Sequence, residues 1–329
     1  MSQPLISIII PAYNVSGYLA NCLDSVLRQT YANIEIMMVN DGSTDNTGAI
    51  ADRFQTQYPD KLKVIHTDNR GVTMARFEGI LASHGEWIGF VDGDDEIEPD
   101  MYERLYLNAA QYGTDISHCG YKTIVNGGER VHEFYNTGRL TKQDRTEGLR
   151  DFLDGKFEPS LWNKIFRRKM VLDVIQNNVI SPNIKYNEDV LMNYYLFKSA
   201  DSSVLEDFCG YHYLARTDSA TRNQFNAKRV LDPVKVRGQI LDDVSAEYKD
   251  IAERNYLISC MNAYAALYKR ADYESDYKEL KTILMTKRSK WHLLRKKDRT
   301  KLQIMMTSPD LYNKLYGVFE RTLQKKVYE

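Results

Sequence analysis

Strand-like and helix-like segments alternate without a break through the first hundred residues, and no other feature restricts the fold as much. Leu5 to Ile10 is an isoleucine-rich apolar run closed by Pro11, which reads as a strand buried on both faces, as strands inside parallel sheets are. Tyr18 to Gln29 carries Leu19, Cys22, Leu23, Val26 and Leu27 at helical spacing. Ile34 to Val39 is a second buried strand, and after it Ser43 or Thr44 can cap a helix from Asn46 to Tyr58. Leu62 to His66, Val72 to Ser83 and Glu86 to Val91 continue the pattern as strand, helix and strand. Strands joined through helices run parallel, so the chain is expected to be an α/β protein with a mainly parallel sheet flanked by helices.

Beyond residue 100 the pattern loosens. A helix is expected over Met101 to Tyr112, a strand near Asp115 to Cys119, mixed elements around Trp162 to Phe166, a helix from Glu188 to Ser199, and short strands around Val204 and Tyr211 to Leu214. From Asn226 onward Tyr, Leu, Ile and Met alternate with charged residues at helical spacing, interrupted by Pro233 and Pro309, which suits a small helical bundle. A chain of 329 residues with 43% hydrophobic content can bury a full α/β core and one smaller domain, so the expected division is 1–220 and 221–329. Cys22, Cys119, Cys209 and Cys260 are scattered without a Cys-x-x-Cys pair, which argues against a zinc site or a disulfide framework and for reduced thiols in a cytosol. The start has no basic leader and no later stretch approaches a membrane span, so a cytoplasmic location is expected, with the inner face of the plasma membrane as its extension.

In an open α/β sheet ligands bind beyond the carboxyl ends of the strands, so the residues there are the ones to compare. Pro11, Ala12, Tyr13 and Asn14 follow the first strand; Asn40, Asp41, Gly42, Ser43 and Asp45 the second; Asn69, Arg70 and Gly71 the third. The fourth ends in Asp92-Gly93-Asp94-Asp95. Carboxylates so crowded repel one another unless a cation sits among them, and Mg²⁺ or Mn²⁺ takes carboxylate oxygens together with substrate phosphates. The plain alternative is a loop whose aspartates cap the next helix. Neither Gly-x-Gly-x-x-Gly nor Gly-Lys-Ser/Thr is present, so phosphate binding would rest on a metal.

Four ordered motifs, Ile-Ile-Ile-Pro-Ala-Tyr-Asn, Val-Asn-Asp-Gly-Ser-Thr-Asp-Asn-Thr, Asn-Arg-Gly-Val-x-x-Ala-Arg and Phe-Val-Asp-Gly-Asp-Asp, resemble those of the family 2 glycosyltransferases of GT-A fold over roughly residues 5 to 215. The resemblance implies transfer of a sugar from a nucleoside diphosphate donor, usually UDP, to an acceptor hydroxyl with inversion at the anomeric carbon. It places Pro11, Ala12 and Tyr13 in the nucleoside pocket with Asn14 and Asn69 beside them, Asp41 on the uracil ring, Asp92 near ribose or metal, and Asp94 as the principal metal ligand. Arg76 is free to fork onto a phosphate or onto a carboxylate such as Asp92, or to be an exposed helix arginine. Asn40 stands where family members often carry Asp, and Phe77 where they often carry Asn.

Inverting transfer needs a base for the acceptor proton. Asn187-Glu188-Asp189 opens an apolar helix and resembles the family's Glu-Asp pair, whose second member is the base; this assigns Asp189 the proton and Glu188 the acceptor side, against the alternative of a capping pair. A helix amino terminus lowers a carboxylate's pKa and burial against Trp162 or Tyr186 raises it. Trp162 is expected on the acceptor side, stacked on a sugar face or in the core. His212, between Tyr211 and Tyr213, is either a further metal ligand or a structural histidine.

Residues 287 to 301 are densely basic and include Trp291, Leu293 and Leu294, which suits either an anionic bilayer with the apolar residues in the headgroup region or a solvated helix face. No aromatic platform or recognised module points to nucleic acid. The expected partners are thus a UDP-sugar, an acceptor that is a glycan, lipid-linked or glycoprotein, and a membrane surface or a second copy of the chain, with capsule, cell-wall or protein-linked glycan as product. The rivals are an Asp-x-Asp phosphatase, disfavoured because the pair follows the fourth strand with Glu96 two positions on, and a silent glycan- or partner-binding protein on the same scaffold.

Overall fold

The computed structural model describes residues 3–125, 130–181, 183–215 and 225–315. The chain divides into two compact units, Met1–Asn223 and Gln224–Glu329.

In the first unit the four expected strands form a parallel block. β1 (Ile6–Ala12) lies between β2 (Ile34–Asp41) and β4 (Trp87–Phe90), with β3 (Leu62–Thr67) outside β2. The connecting helices are α1 (Leu19–Leu27), α2 (Thr47–Gln57) and α3 (Val72–Ala82). Every residue of β1 is buried, as its unbroken apolar run requires. The strand runs on through Pro11 because its missing N–H faces the side where β4 has just ended. There its carbonyl accepts from Gly93 N–H at 3.3 Å, two residues beyond the Val91 N–H that donates to Ile9.

Beyond this parallel block the sheet becomes mixed. β9 (Lys164–Arg167) runs antiparallel to both β4 and β6 (Ile116–Val125), and β6 pairs parallel with β10 (Ser202–Ala215). The short β5 (Glu96–Ile97), β7 (Arg130–Phe134) and β8 (Leu140–Asp144) add antiparallel edges. α4 (Met101–Tyr112), α5 (Arg145–Asp154), α6 (Arg168–Gln176) and α7 (Glu188–Ser199) complete the flanking layers. α4 and α7 match their expected bounds, whereas α5, α6, β7 and β8 were not anticipated. α5 was nonetheless legible, since Asp144 and Glu147 form a capping box and Gly155 closes the helix at φ +70°.

The second unit is helical: α8 (Lys228–Asp243), α9 (Lys249–Ala266), α10 (Glu274–Thr286), a 3₁₀ turn at Arg288–Leu293 and α11 (Lys296–Thr307). Pro233 was expected to interrupt the helix but lies inside α8. Leu257, Cys260, Tyr264, Leu280, Leu284 and Leu302 form its core. Trp291 and Leu294 belong to that core too, and Trp291 Nε1 donates to the Leu284 carbonyl at 3.1 Å. They are therefore not the headgroup-seeking residues the sequence suggested; of the basic stretch, the charges at Arg288, Lys290, Arg295, Lys296 and Lys297 remain exposed. Pro309 lies past α11, beside Asp310, which binds Lys269 Nζ at 2.8 Å. The four cysteines are buried free thiols, and no described helix is long and apolar enough to cross a membrane.

Candidate active site

The loops after β1, β2 and β3 are stitched to one another through backbone amides. Asn14, at φ +51°, donates from its N–H to Ser43 Oγ at 3.1 Å, and its Oδ1 accepts from Thr44 N–H at 2.8 Å. Asp45 accepts from Ser16 N–H at 3.0 Å and from Thr47 N–H at 2.9 Å. Burial raises the Asp45 carboxyl, but the hydrogen bonds from Thr47 and Ser16 outweigh it and bring it down to about 2. Ser43 and Thr44 therefore serve the Asn14 loop and do not cap α2, whose first amide is met by Asp45.

Asp41 is buried, and its two oxygens take the N–H groups of Arg70 and Gly71, each at 2.8 Å. It brackets the third loop onto the second and keeps lone pairs for a further donor. Gly42 makes this possible: it sits at φ +67°, and a Cβ there would lie 2.5 Å from the Asn69 nitrogen. Asn40 is buried too, its amide on His66 Nδ1 at 3.0 Å and its Oδ1 receiving Ser43 N–H at 3.2 Å, so this family departure is a structural one. Pro11 and Ala12 are buried, Asn69 is exposed, and Tyr13 is 48% exposed at the strand end.

The three aspartates after β4 divide by role. Asp95 turns inward, 2% exposed, and accepts from Tyr211 Oη and from Leu214 N–H, both at 2.8 Å. Burial, with Asp94 and Asp92 nearby, pushes its carboxyl well above the usual range. The Tyr211 hydroxyl in turn receives Asp92 N–H at 3.1 Å, so one tyrosine braces the whole turn. Asp92 and Asp94 stay half-buried.

Arg76 joins this turn to α7. It is buried on α3 and donates to Asp92 Oδ1 at 3.0 Å and to Glu188 Oε1 at 2.8 Å. Burial alone would lower the guanidinium, but Asp92, Glu188 and Asp189 outweigh it and hold it charged. Its Nε is buried without a hydrogen-bond partner. α7 starts from Asn187 in the left-handed region, with no side-chain cap. Glu188 is thus the partner of Arg76 and no cap; burial and Asp189 raise its carboxyl against the pull of Arg76. Asp189 is half-buried, its Oδ1 accepting from Val190 N–H at 2.7 Å, and burial raises it as well, with Arg76 and that amide opposing.

Two expected residues stand elsewhere. His212 follows Tyr211 on β10, and successive strand residues face opposite sides of the sheet. Tyr211 reaches Asp95, whereas His212 Nε2 meets Glu98 Oε1 at 2.7 Å, the same oxygen that accepts from Lys122 Nζ at 2.8 Å. As a metal ligand beside Asp92 and Asp94 it is corrected to a structural histidine. Trp162 is 7% exposed, stacked on Tyr211 at 4.1 Å and 21°, with Tyr121 edge-on at 5.1 Å. Its ring face is covered, so it supports the site from within the core and stacks on no sugar.

Sequence reasoning missed Tyr211, Lys164 and Glu158. Lys164 is fully buried and donates to the carbonyls of Glu158 and Ser160, both at 2.7 Å, and to Asn163 Oδ1 at 2.5 Å. Burial pulls it down to about 8 against Glu158, Cys119 and Asp189. The signal was a lysine directly before the apolar pair Ile165-Phe166.

Residues 7–174, just over half the chain, match the profile of "Glycosyl transferase family 2". The chain belongs to this family. Among curated relatives, GlyG of Streptococcus pneumoniae, described as a glycosyltransferase, is 31% identical over 73% of the chain and 80% of its own length. EpsJ of Bacillus subtilis, an uncharacterized glycosyltransferase, is 37% identical over 66% of the chain and 63% of its own length; EpsH of that organism is 36% identical, with 49% of its length matched. The chain thus spans about half to two thirds of those two relatives. The structure of S. aureus TarS 1-349 in complex with UDP-GlcNAc superposes with a TM-score of 0.71 at 20% identity, covering 91% of the chain and 86% of that TarS 1-349 chain, which establishes the GT-A fold. The chain is thus a family 2 member of GT-A fold, and the motifs that marked the resemblance occupy the carboxyl ends of β1 to β4.

Proposed function

We propose that the chain transfers a sugar from a UDP-sugar to an acceptor hydroxyl with inversion, assisted by Mn²⁺ or Mg²⁺, in the synthesis of a capsule, cell-wall or protein-linked glycan. The reading is carried by Arg76, which ties Asp92 at the donor-side strand end to Glu188 beside Asp189. The two halves expected of a transferase site are thereby one hydrogen-bonded unit. Exposed Tyr13 is suited to a uracil face, and Asp41 and Asn69 to its edge and ribose. The acceptor oxygen attacks the anomeric carbon as the bond to the diphosphate breaks, UDP leaves with that electron pair, and Asp189 takes the acceptor proton. Its raised carboxyl is a better proton acceptor than an ordinary aspartate.

Asp92 and Asp94 would hold the cation. No group of three or more metal-ligating side chains occurs among the described residues. Two half-buried carboxylates nevertheless suit a hard ion that takes its remaining ligands from water and phosphate oxygens. Bound there, it would neutralise charge on the leaving diphosphate.

UDP release from a panel of UDP-sugars, with and without Mn²⁺, measured beside phosphate release from phosphomonoesters, tests the reading. Metal-stimulated UDP release is expected. Phosphate release from monoesters would favour the phosphatase, and neither activity would favour a silent binding protein.

A further inference from the structure

An aromatic ladder leads from the aspartate turn to the surface. Tyr211, whose hydroxyl touches Asp95, stacks on Trp162; Trp162 meets Tyr121 edge-on; and Tyr121 stacks on Phe134 at 4.7 Å and 12°. The inner rings are core. The outer end is open to solvent, with Phe134 40% exposed, Tyr135 37% and Tyr213 43%.

Tyr135 is held in an unfavourable conformation. Its φ is +61°, which a bulky side chain rarely adopts. The neighbouring strand is shaped to accept it: a Cβ at Gly120 of β6 would lie 2.1 Å from the Tyr135 carbonyl oxygen and 2.5 Å from that of Phe134. Strain that persists because its surroundings enforce it marks sites where a side chain must be presented in a set direction. Here it presents an aromatic ring to water.

Glu158 connects this platform to the base. Its Oε1 accepts from Ser160 Oγ at 2.8 Å, and its backbone carbonyl is anchored by buried Lys164. Burial raises the Tyr121 and Tyr135 hydroxyls and the Asp189 carboxyl, and the charge of Glu158 raises all three further. Rings that offer apolar faces beside a carboxylate complement a pyranose, which has one apolar face and a rim of hydroxyls.

We propose that Phe134, Tyr135 and Tyr213, with Glu158, form a saccharide subsite that seats the acceptor glycan beside Asp189. The acceptor role rests on the transferase reading above; the saccharide site itself does not. A protein partner would want a broader apolar face and has no use for a carboxylate tied into the base.

The test uses the full chain and two neutral probes, chitotetraose and cellotetraose, followed by saturation-transfer NMR. Contact between probe and aromatic protons is expected in the wild type. Tyr135→Gly removes the ring and relieves the positive φ, so the fold should survive with an equal or higher melting temperature. Affinity should fall by about tenfold for one lost ring, and further when Tyr213→Ala is added. If neither probe touches the protein, or contact is unchanged in the folded double variant, the proposal is wrong. Retained UDP-sugar hydrolysis in the wild type would then leave the donor reading standing. Saccharide binding with no donor hydrolysis would uphold the subsite and sink the transferase reading instead.

Discussion

Arg76→Met is the most informative single change, because the side chain it removes joins the donor-side turn to α7, and both partners are carboxylates. The lost contacts are hydrogen-bonded ion pairs at 2.8 Å to Glu188 and 3.0 Å to Asp92. The two partners do not weigh equally. The Asp92 side chain is 30% exposed and can rehydrate, whereas the Glu188 side chain is 11% exposed and would be left as an unpaired buried charge. Breaking such a pair from one side costs about 3–5 kcal/mol, which for a unit of this size lowers the melting temperature by roughly 6–20 °C.

The pH dependence gives a second handle on the same change. Glu188 is raised in the folded protein, so its contribution favours folding below the ordinary carboxylate range and is lost as pH rises through the raised value. Removing Arg76 raises it further. The deficit of the variant should therefore be largest at neutral pH and narrow near about pH 4. Adding Glu188→Gln should recover roughly 1–3 kcal/mol by removing the stranded charge. Thermal and urea melts at both pH values provide the measurement. A variant within about 1 kcal/mol of wild type at pH 7, with no gain from Glu188→Gln, would refute the bridge as a structural element.

Asp94→Asn should abolish metal-supported UDP binding in calorimetry while the melt is kept, since a carboxylate ligand and its charge are lost; equal affinity would remove Asp94 from the metal site. Asp189→Asn should keep UDP binding and lose transfer, because an amide holds a hydroxyl but takes no proton. Since Asp189 is raised, the acid limb of wild-type transfer should lie above the usual carboxylate range, and a limb at about pH 4 would place the base elsewhere. Any affinity of residues 287–301 for anionic vesicles should be mainly electrostatic, because Trp291 and Leu294 are core: salt should release it, and neutralising Arg295, Lys296 and Lys297 should weaken it in cosedimentation.

The first four strands were legible because βαβ units repeat one pattern: an apolar run buried on both faces, then helical spacing. α4 and α7 were legible for the same reason. In the second half of the sheet the strands expected near Asp115 to Cys119, around Val204 and over Tyr211 to Leu214 are parts of β6 and β10, whereas β5, β7 and β8 were not legible and β9 only as mixed elements. β9 is only Lys164–Arg167, and its lysine hides a strand whose buried charge is satisfied by two carbonyls and an amide. Site residues followed the same division. Arg76 reaches Asp92, one of the partners left open for it, whereas its bond to Glu188 was not anticipated. His212 and Trp162 failed on orientation, which a list of residue types does not carry. Yet the alternation Tyr211-His212-Tyr213 already required that His212 face away from its neighbours, so once Tyr211 points at Asp95 the histidine is excluded.

We infer from the balance of charge that a cation would favour donor binding. Asp92, Glu188 and Asp189 act on the buried Arg76 guanidinium, and Asp95 is pushed toward its neutral form by burial and by the charges of Asp94 and Asp92. Arg76 is already committed to Asp92 and Glu188, so it has little to offer an incoming diphosphate. A nucleotide with two phosphates would therefore enter a region of surplus negative charge, and repulsion at short range in a partly buried site is several-fold stronger than in water. Asp92 and Asp94 would hold a hard divalent ion, and its charge would offset the repulsion on an incoming diphosphate. On this reasoning UDP affinity rises steeply with Mn²⁺ or Mg²⁺, and uridine, which lacks phosphates, shows no such dependence.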